Sequence, residues 1–232
     1  GVDLTDDKRT SLVIDPPNGR LPARVQRTRN MHMPNPTREE RNAARYNSYE
    51  SRHLFDRCIM GFNAGPPMSS GAYNNNVMIF QTPDHVVILH EMVHDSRIVP
   101  LDGRPHLPDD VRQWMGDSRG YWDGDTLVVE SRNYTNKTSS FSPSVTTAAG
   151  DGTTLNLTER FTRVAPDVLQ YEVSVNDPSS WDAPWTAMIP LRQSEDAVFE
   201  YACHEGNIGM EGILAGARAL EKAEAQTQEG SR

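Results

Sequence analysis

No stretch of this 232-residue chain approaches the ~18 consecutive apolar residues that a membrane-crossing helix requires, so an integral helical membrane protein is not expected. Cysteine is scarce. Cys58 and Cys203 stand too far apart for a CxxC redox or zinc motif. They are either buried thiols or one disulfide joining the N-terminal region to the last β-rich run, and a disulfide goes with an oxidising compartment. The chain also lacks a phosphate-cradling glycine loop, a dinucleotide fingerprint and a nucleophile elbow. Dinucleotide chemistry and serine hydrolysis therefore have no support, and no organic cofactor is expected. No internal repeat or low-complexity tract stands out. The first residue is Gly1 rather than Met, as expected where a targeting segment has been removed.

Positive charge is short, and unevenly so. Residues 1–57 carry 11 Lys and Arg against 8 Asp and Glu, net +3, while the remainder carries 12 against 24, net −12. A body this acidic repels phosphate backbones, which argues against nucleic acid as a partner. The mildly basic N-terminal part is expected to lie on its own acidic body or on a neighbouring subunit, making a homo-oligomer through this arm one expectation. Hydrophobic residues at 36%, with 16 Gly and 16 Pro, suit a turn-rich globular protein.

Residues 1–36 hold repeated Pro and Gly with little periodicity and read as an extended arm. Thr37 and Glu40 form a capping-box pattern ahead of "REERNAARYNSYESRHLFDRCI", which predicts a helix. "GFNAGPPMSSGAYNNN" (61–76) reads as a loop. From Val77 on, short β-rich runs alternate with turn signals: "VMIFQ", "HVVILHEMVHDSRIVPL", "YWDGDTLVVES", "TLNLTERFTRV", "VLQYEVSVND", "WTAMIPLR" and "VFEYACHE". Asp123-Gly124 marks a hairpin. "MEGILAGARALEKAEAQTQ" reads as a C-terminal helix. The expectation is mainly β: a single antiparallel barrel, lipocalin-like or calycin-like, over 61–232 with a C-terminal helix and tail, and an arm and helix over 1–60 packing on it.

His90-Glu91-Met92-Val93-His94 spells HExxH, the zinc-protease signature, which works only on a helix that stacks the two histidines. Its Val- and Ile-rich surroundings predict a strand instead. On one long strand His90, Met92 and His94 share a face, and Glu91, Val93, Asp95 and Arg97 share the other. That arrangement puts Glu91 on the wrong side of a His-held zinc. A metal on His90 and His94 with His106 or His204 as third ligand is a further reading; no metal is assigned.

Alternation gives a better lead. Glu159 falls on the face of Leu155, Leu157 and Phe161, so a carboxylate points inward. Tyr171 falls on that of Leu169, Val173 and Val175, with Asp177 at the end of the row. Burial raises a carboxyl pKa and a nearby Arg lowers it, and either can set up acid/base chemistry. Glu159 with Arg97 or His94 is the favoured pairing. His94 is the candidate proton carrier, Arg97 the holder of a substrate oxygen, and Glu159 the orienting or second acid/base group. His90, Glu91, His106, Trp122, Tyr171 and His204 are candidate substrate-binding residues. His94 and Arg97 have opposite strand parity, so their meeting requires a bulge or a strand end between them.

The strings "VILHEMVHDSRIVPLDGRPH", "WMGDSRGYWDGDTLVVES", "LTERFTRV", "PWTAMIPL" and "EYACHEGN" resemble those of a large group of uncharacterised exported bacterial β-rich proteins. Those carry a His, an Arg three residues on, DGRPH, Trp-x-Gly and a Gly-x-Trp-x-Gly-Asp-Thr-Leu-Val-Val hairpin. The resemblance spans about residues 60–220. It implies export, to the periplasm or beyond, and draws attention to His94, Arg97, Asp102, Arg104, His106, Trp114, Ser118, Trp122, Asp125 and Glu159. HExxH is not part of the shared pattern.

Three functions follow from these readings. The first is an exported, cofactor-independent enzyme moving protons on a small organic substrate, as a lyase, dehydratase or isomerase. The second is a lipocalin-like binding protein for an apolar or aromatic ligand. The third is a His-ligated metal enzyme. Whether titratable groups converge inside or only line a rim separates the first two.

Overall fold

Alternating apolar residues from Val77 onward fold into nine antiparallel strands with β1, in a computed structural model that describes residues 9–25, 44, 46–52, 54–61, 63–71, 73–135 and 152–230. They are β1 (Val13–Asp15), β2 (Val77–Gln81), β3 (His85–His90), β4 (Ser96–Pro100), β5 (Asp117–Asp123), β6 (Thr126–Arg132), β7 (Asn156–Ala165), β8 (Val168–Asn176) and β9 (Trp185–Arg192). A single long helix, α1 (Ile208–Gly230), follows. Two sheets result: a six-stranded one in the order β1-β9-β8-β7-β6-β5 and a three-stranded one in the order β2-β3-β4. The expected single barrel is thus drawn as two sheets, with no ladder joining β4 to β5. These strands nonetheless run side by side, because Gly120 leaves room: a Cβ there lies 2.7 Å from Leu101 Cδ2 and 2.8 Å from Val99 Cγ1.

One core fills the space between the sheets. Val86, Ile88 and Val99 come from the small sheet, and Leu127, Val129, Leu157, Phe161, Tyr171, Val173, Val175, Trp185 and Ala187 from the large one. Period-two alternation puts each on the inner face. Trp181 and Trp185 close one end, edge to face at 6.0 Å between ring centroids. No described helix is long and apolar enough to cross a membrane.

Four elements differ from the sequence reading. The run 85–101 is a hairpin, with Leu89 opposite Ser96 and the HExxH residues 91–94 in its turn. The β5–β6 turn is Gly124-Asp125, one residue later than expected, since Asp123 pairs with Thr126 and Gly124 takes φ +61°. "VFEYACHE" forms no strand; it is extended chain and turn, and Phe199 is largely exposed, so it has no neighbouring strand to repay ordering. Of the expected N-terminal helix, residue 44 is helical, but from residue 46 on the described chain shows turns and one 3-10 turn, Tyr49–Ser51. Asn and Ser there compete for backbone hydrogen bonds and weaken a helix. Its first part, like most of the 1–36 arm, lies outside the described residues. What is described of the arm is structural: β1 pairs with β9, Val13 opposite Ala187.

Cys58 and Cys203 form a disulfide with Cα atoms 5.7 Å apart. It ties the turn after the 3-10 segment to the approach to α1, and Asn207 Nδ2 reinforces it by donating to the Asp56 carbonyl at 3.0 Å.

Candidate functional site

The hairpin turn decides which side chains meet. Ending β3 at His90 and restarting at Ser96 puts Ile88 opposite Arg97, so Val86, Ile88, His90, Arg97 and Val99 share the inner face. Reading the run as one strand assigned His90 and Arg97 to opposite faces; the five-residue reversal restores them to one. The turn is costly. Val93 takes φ +63° and His94 φ +51°, a region that a β-branched residue rarely occupies. Packing holds it in place: Met92 is buried against Gly61, where any Cβ would lie 2.4 Å from Met92 Cγ. Glu91 is buried beside it and accepts from Asn76 Nδ2 at 2.9 Å.

Arg97 reaches across the core to Glu159 on β7 and engages both carboxylate oxygens, Nη1 to Oε2 in a short contact and Nη2 to Oε1 at 3.0 Å. Arg97 is 4% and Glu159 0% exposed, so the pair is wholly inside. Tyr171 on β8 sits diagonally across the ladder and donates its hydroxyl to Glu159 Oε1 at 2.8 Å. That hydroxyl in turn accepts the Met68 N–H at 3.0 Å, which brings the 61–76 loop onto the cluster. Burial works against the Arg97 charge, but the attraction and hydrogen bonds of Glu159 outweigh it and raise its pKa. Burial first, and the Glu159 charge second, push the Tyr171 pKa far up, so this phenol stays protonated.

Two more inner residues join them. His90, 2% exposed, has its pKa pushed down to about 3, by burial first and the Arg97 charge second, and is therefore neutral. Tyr134, fully buried, has its pKa raised by burial and then by Glu159, partly opposed by Arg97 and Ser131. Gly116 makes room for it: with φ +70°, a Cβ there would lie 2.8 Å from Tyr134 Cζ. Within this group His90 Nε2 and Arg97 Nε are buried with no well-formed hydrogen bond, and the Tyr134 hydroxyl lies beside Ser131. Two such atoms in one cluster are unusual, because a buried polar group without a partner costs about 1–3 kcal/mol.

The remaining candidates lie elsewhere. His94 is exposed on the turn, and the strand restart separates it from inward-facing Arg97. His106 packs on the outer side of β5: its Nδ1 is 2.8 Å from Asp117 Oδ2, which also accepts the Leu107 N–H, while Arg119 Nη1 donates to Asp117 Oδ1 at 2.6 Å. Asp117 and Arg119 alternate with inward Ser118 and Gly120, so the sheet stands between His106 and Glu159. Trp122 has inner-face parity but sits at the open end of β5, 46% exposed. His204 is exposed in the turns before α1. Asp102 and Arg104 pair locally, Arg104 Nε 2.8 Å from Asp102 Oδ1, as a turn. Asp177 ends its row as a buried acceptor for the hydroxyls of Thr154, Ser179 and Ser180.

Sequence reasoning brought Arg97, Glu159 and Tyr171 together and missed Tyr134, which lies two residues past the end of β6. Among the described residues no three His, Cys, Asp or Glu side chains gather as a metal site. No family model, no curated protein and no solved structure matches the chain.

Proposed function

We propose that the buried polar cluster between the two sheets is the site of an exported, cofactor-independent acid/base enzyme, a lyase, dehydratase or isomerase acting on a small organic acid. The observation that carries this reading is the pair of unsatisfied polar atoms, His90 Nε2 and Arg97 Nε, which with the Tyr134 hydroxyl surround the buried Arg97–Glu159 pair. Arg97 Nε is an obligate donor, the Tyr134 hydroxyl can donate or accept, and His90 is a neutral imidazole. That set matches a carboxylate or carbonyl oxygen beside a carbon that loses a proton. Arg97 and Tyr134 hold the oxygen. Glu159 and Tyr171 position Arg97. The proton goes to His90 rather than to exposed His94; a substrate anion beside the imidazole raises its depressed pKa toward the working range. Entry requires the 61–76 loop to lift where Met68 meets Tyr171. The Cys58–Cys203 disulfide supports an oxidising, periplasmic or extracellular setting.

The binding-protein reading has one observation in its favour. A cavity of about 300 Å³ lies beside the disulfide, lined by Phe55, Tyr201, Met210 and Ile213 among others. Proton NMR in D2O over a panel of small keto and hydroxy acids separates the two. Enzyme-dependent deuterium uptake at the carbon next to the carboxylate, falling ~10²-fold in His90→Gln and Tyr134→Phe but not in His94→Ala, is the expected result. Saturable binding without any exchange, insensitive to His90→Gln, transfers the assignment to a binding protein.

A further inference from the structure

β2 has one strand partner, β3, and among the described residues its other edge pairs with nothing. Free edges in natural sheets are blunted by charge, proline or a bulge. β2, Val77-Met78-Ile79-Phe80-Gln81, has none of these, and its pairing with β3 is regular throughout. Its side chains are also bare: Met78 is 39%, Ile79 39% and Phe80 47% exposed, and Ile98 on β4 continues the outer face at 60%. The outer face of this small sheet, formed by Met78, Phe80, Val87, Leu89 and Ile98 with His85, Ser96 and Pro100 at its ends, bears no Asp, Glu, Lys or Arg, in a protein of net charge −9.

The hydrogen-bond phase of β2 specifies what fits. Glu91 N–H donates to the Asn76 carbonyl and Thr82 N–H to the His85 carbonyl, one at each end of the strand. Antiparallel ladders alternate, so Met78 and Phe80 bond to β3 while Val77, Ile79 and Gln81 turn their N–H and C=O groups to the free edge. We infer that this edge is a homodimer interface, in which β2 of a second copy pairs antiparallel about a two-fold axis through Ile79.

In that register Ile79 faces its own counterpart and Val77 faces Gln81, all hydrogen-bonded pairs. Met78 faces Phe80 of the other copy twice, in the closer non-hydrogen-bonded pairs, giving two sulfur–aromatic contacts on the outer face. The five-residue strand is self-complementary because its odd residues are the ones with free backbone groups. A second copy satisfies every one of them by symmetry. Acidic bodies of −9 each repel elsewhere, so the dimer tightens as salt rises. The inference is independent of the proposed catalysis.

Sedimentation equilibrium of the full chain tests it, with Phe80→Lys as the variant; this side chain is solvent-facing, so the thermal unfolding midpoint should hold. The wild type is expected to be a dimer, weakened at least about tenfold by Phe80→Lys. In the Met78→Cys/Phe80→Cys double variant, mild oxidation is expected to join two chains through the introduced thiols, as peptide mapping reads directly. A monomeric wild type overturns the inference. So does a dimer indifferent to Phe80→Lys, or a map that links the introduced thiols within one chain instead of to a second copy.

Discussion

A guanidinium and a carboxylate fully enclosed between two sheets have two possible justifications, stability and chemistry, and substitution separates them. Taking charges out of water costs several kcal/mol per ion, which a bidentate geometry with a third hydrogen bond roughly offsets. Removing one partner leaves the other charge stranded, so Arg97→Met or Glu159→Leu alone should cost about 3–5 kcal/mol in denaturant unfolding. The double variant Arg97→Met/Glu159→Leu removes both charges and should regain most of that loss. If the double variant is as unstable as either single one, the pair itself is the main source of stability there. If it folds well, what is lost with the pair is function. His90 adds a pH signature. Its folded-state pKa lies near 3 against an ordinary 6.5, so the unfolded chain binds a proton that the folded chain refuses between those values. Stability is therefore fully present above about pH 6.5 and declines as pH falls toward 3, by at most about 5 kcal/mol for the whole shift. The difference in unfolding free energy between wild type and His90→Gln, followed from pH 7 to pH 4, should shrink with acid. A difference that stays constant means that His90 is solvated and protonates freely.

At the scale of elements, legibility followed from how much information one strand carries about itself. β7 and β8 announce their inner faces by alternation, so Glu159 and Tyr171 could be placed inward without any knowledge of neighbours. The run 85–101 could not be resolved this way. Its apolar content is β-prone from end to end, and the reversal is made by Val93 and His94 in left-handed conformations that neither residue advertises. A turn made against propensity is held by tertiary contacts, here Met92 on Gly61, and those are invisible in a local window. The consequence reached the site: displacing His94 and promoting His90 both come from that one turn. Tyr134 was missed for a related reason. It sits beyond β6, after Asn133 at φ +62°, in an isolated bridge with Gln113, so no alternation includes it. "VFEYACHE" failed the other way: its pattern is that of a strand, but with β1 occupying the β9 edge there is no vacant ladder there for it to join.

For the molecule as a whole, packing alone joins the two sheets, through the shared core and the β4–β5 seam, because no ladder crosses that seam. Every other strand neighbour in the large sheet is also a neighbour in sequence apart from β1 with β9, so each sheet is built from local hairpins, and their mutual position is left to side chains. The position matters, since Arg97 comes from one sheet and Glu159, Tyr171 and His90's distant neighbours from the other. Gly120 is where the seam is tightest, with Val99 Cγ1 and Leu101 Cδ2 occupying the volume of the missing side chain. Gly120→Ala should therefore force the sheets apart rather than tighten β5, at a cost of about 1–3 kcal/mol for overpacking despite the better strand propensity of alanine. Val99→Ala removes the Cγ1 atom in the way, and although it opens a cavity by itself, the pair Gly120→Ala/Val99→Ala should be less destabilised than the sum of its parts. Urea unfolding of the four proteins of this cycle measures the coupling. An additive cycle, with Gly120→Ala as stable as wild type, would mean that the seam is looser than these contacts require and that the shared core and the Arg97–Glu159 bridge register one sheet on the other.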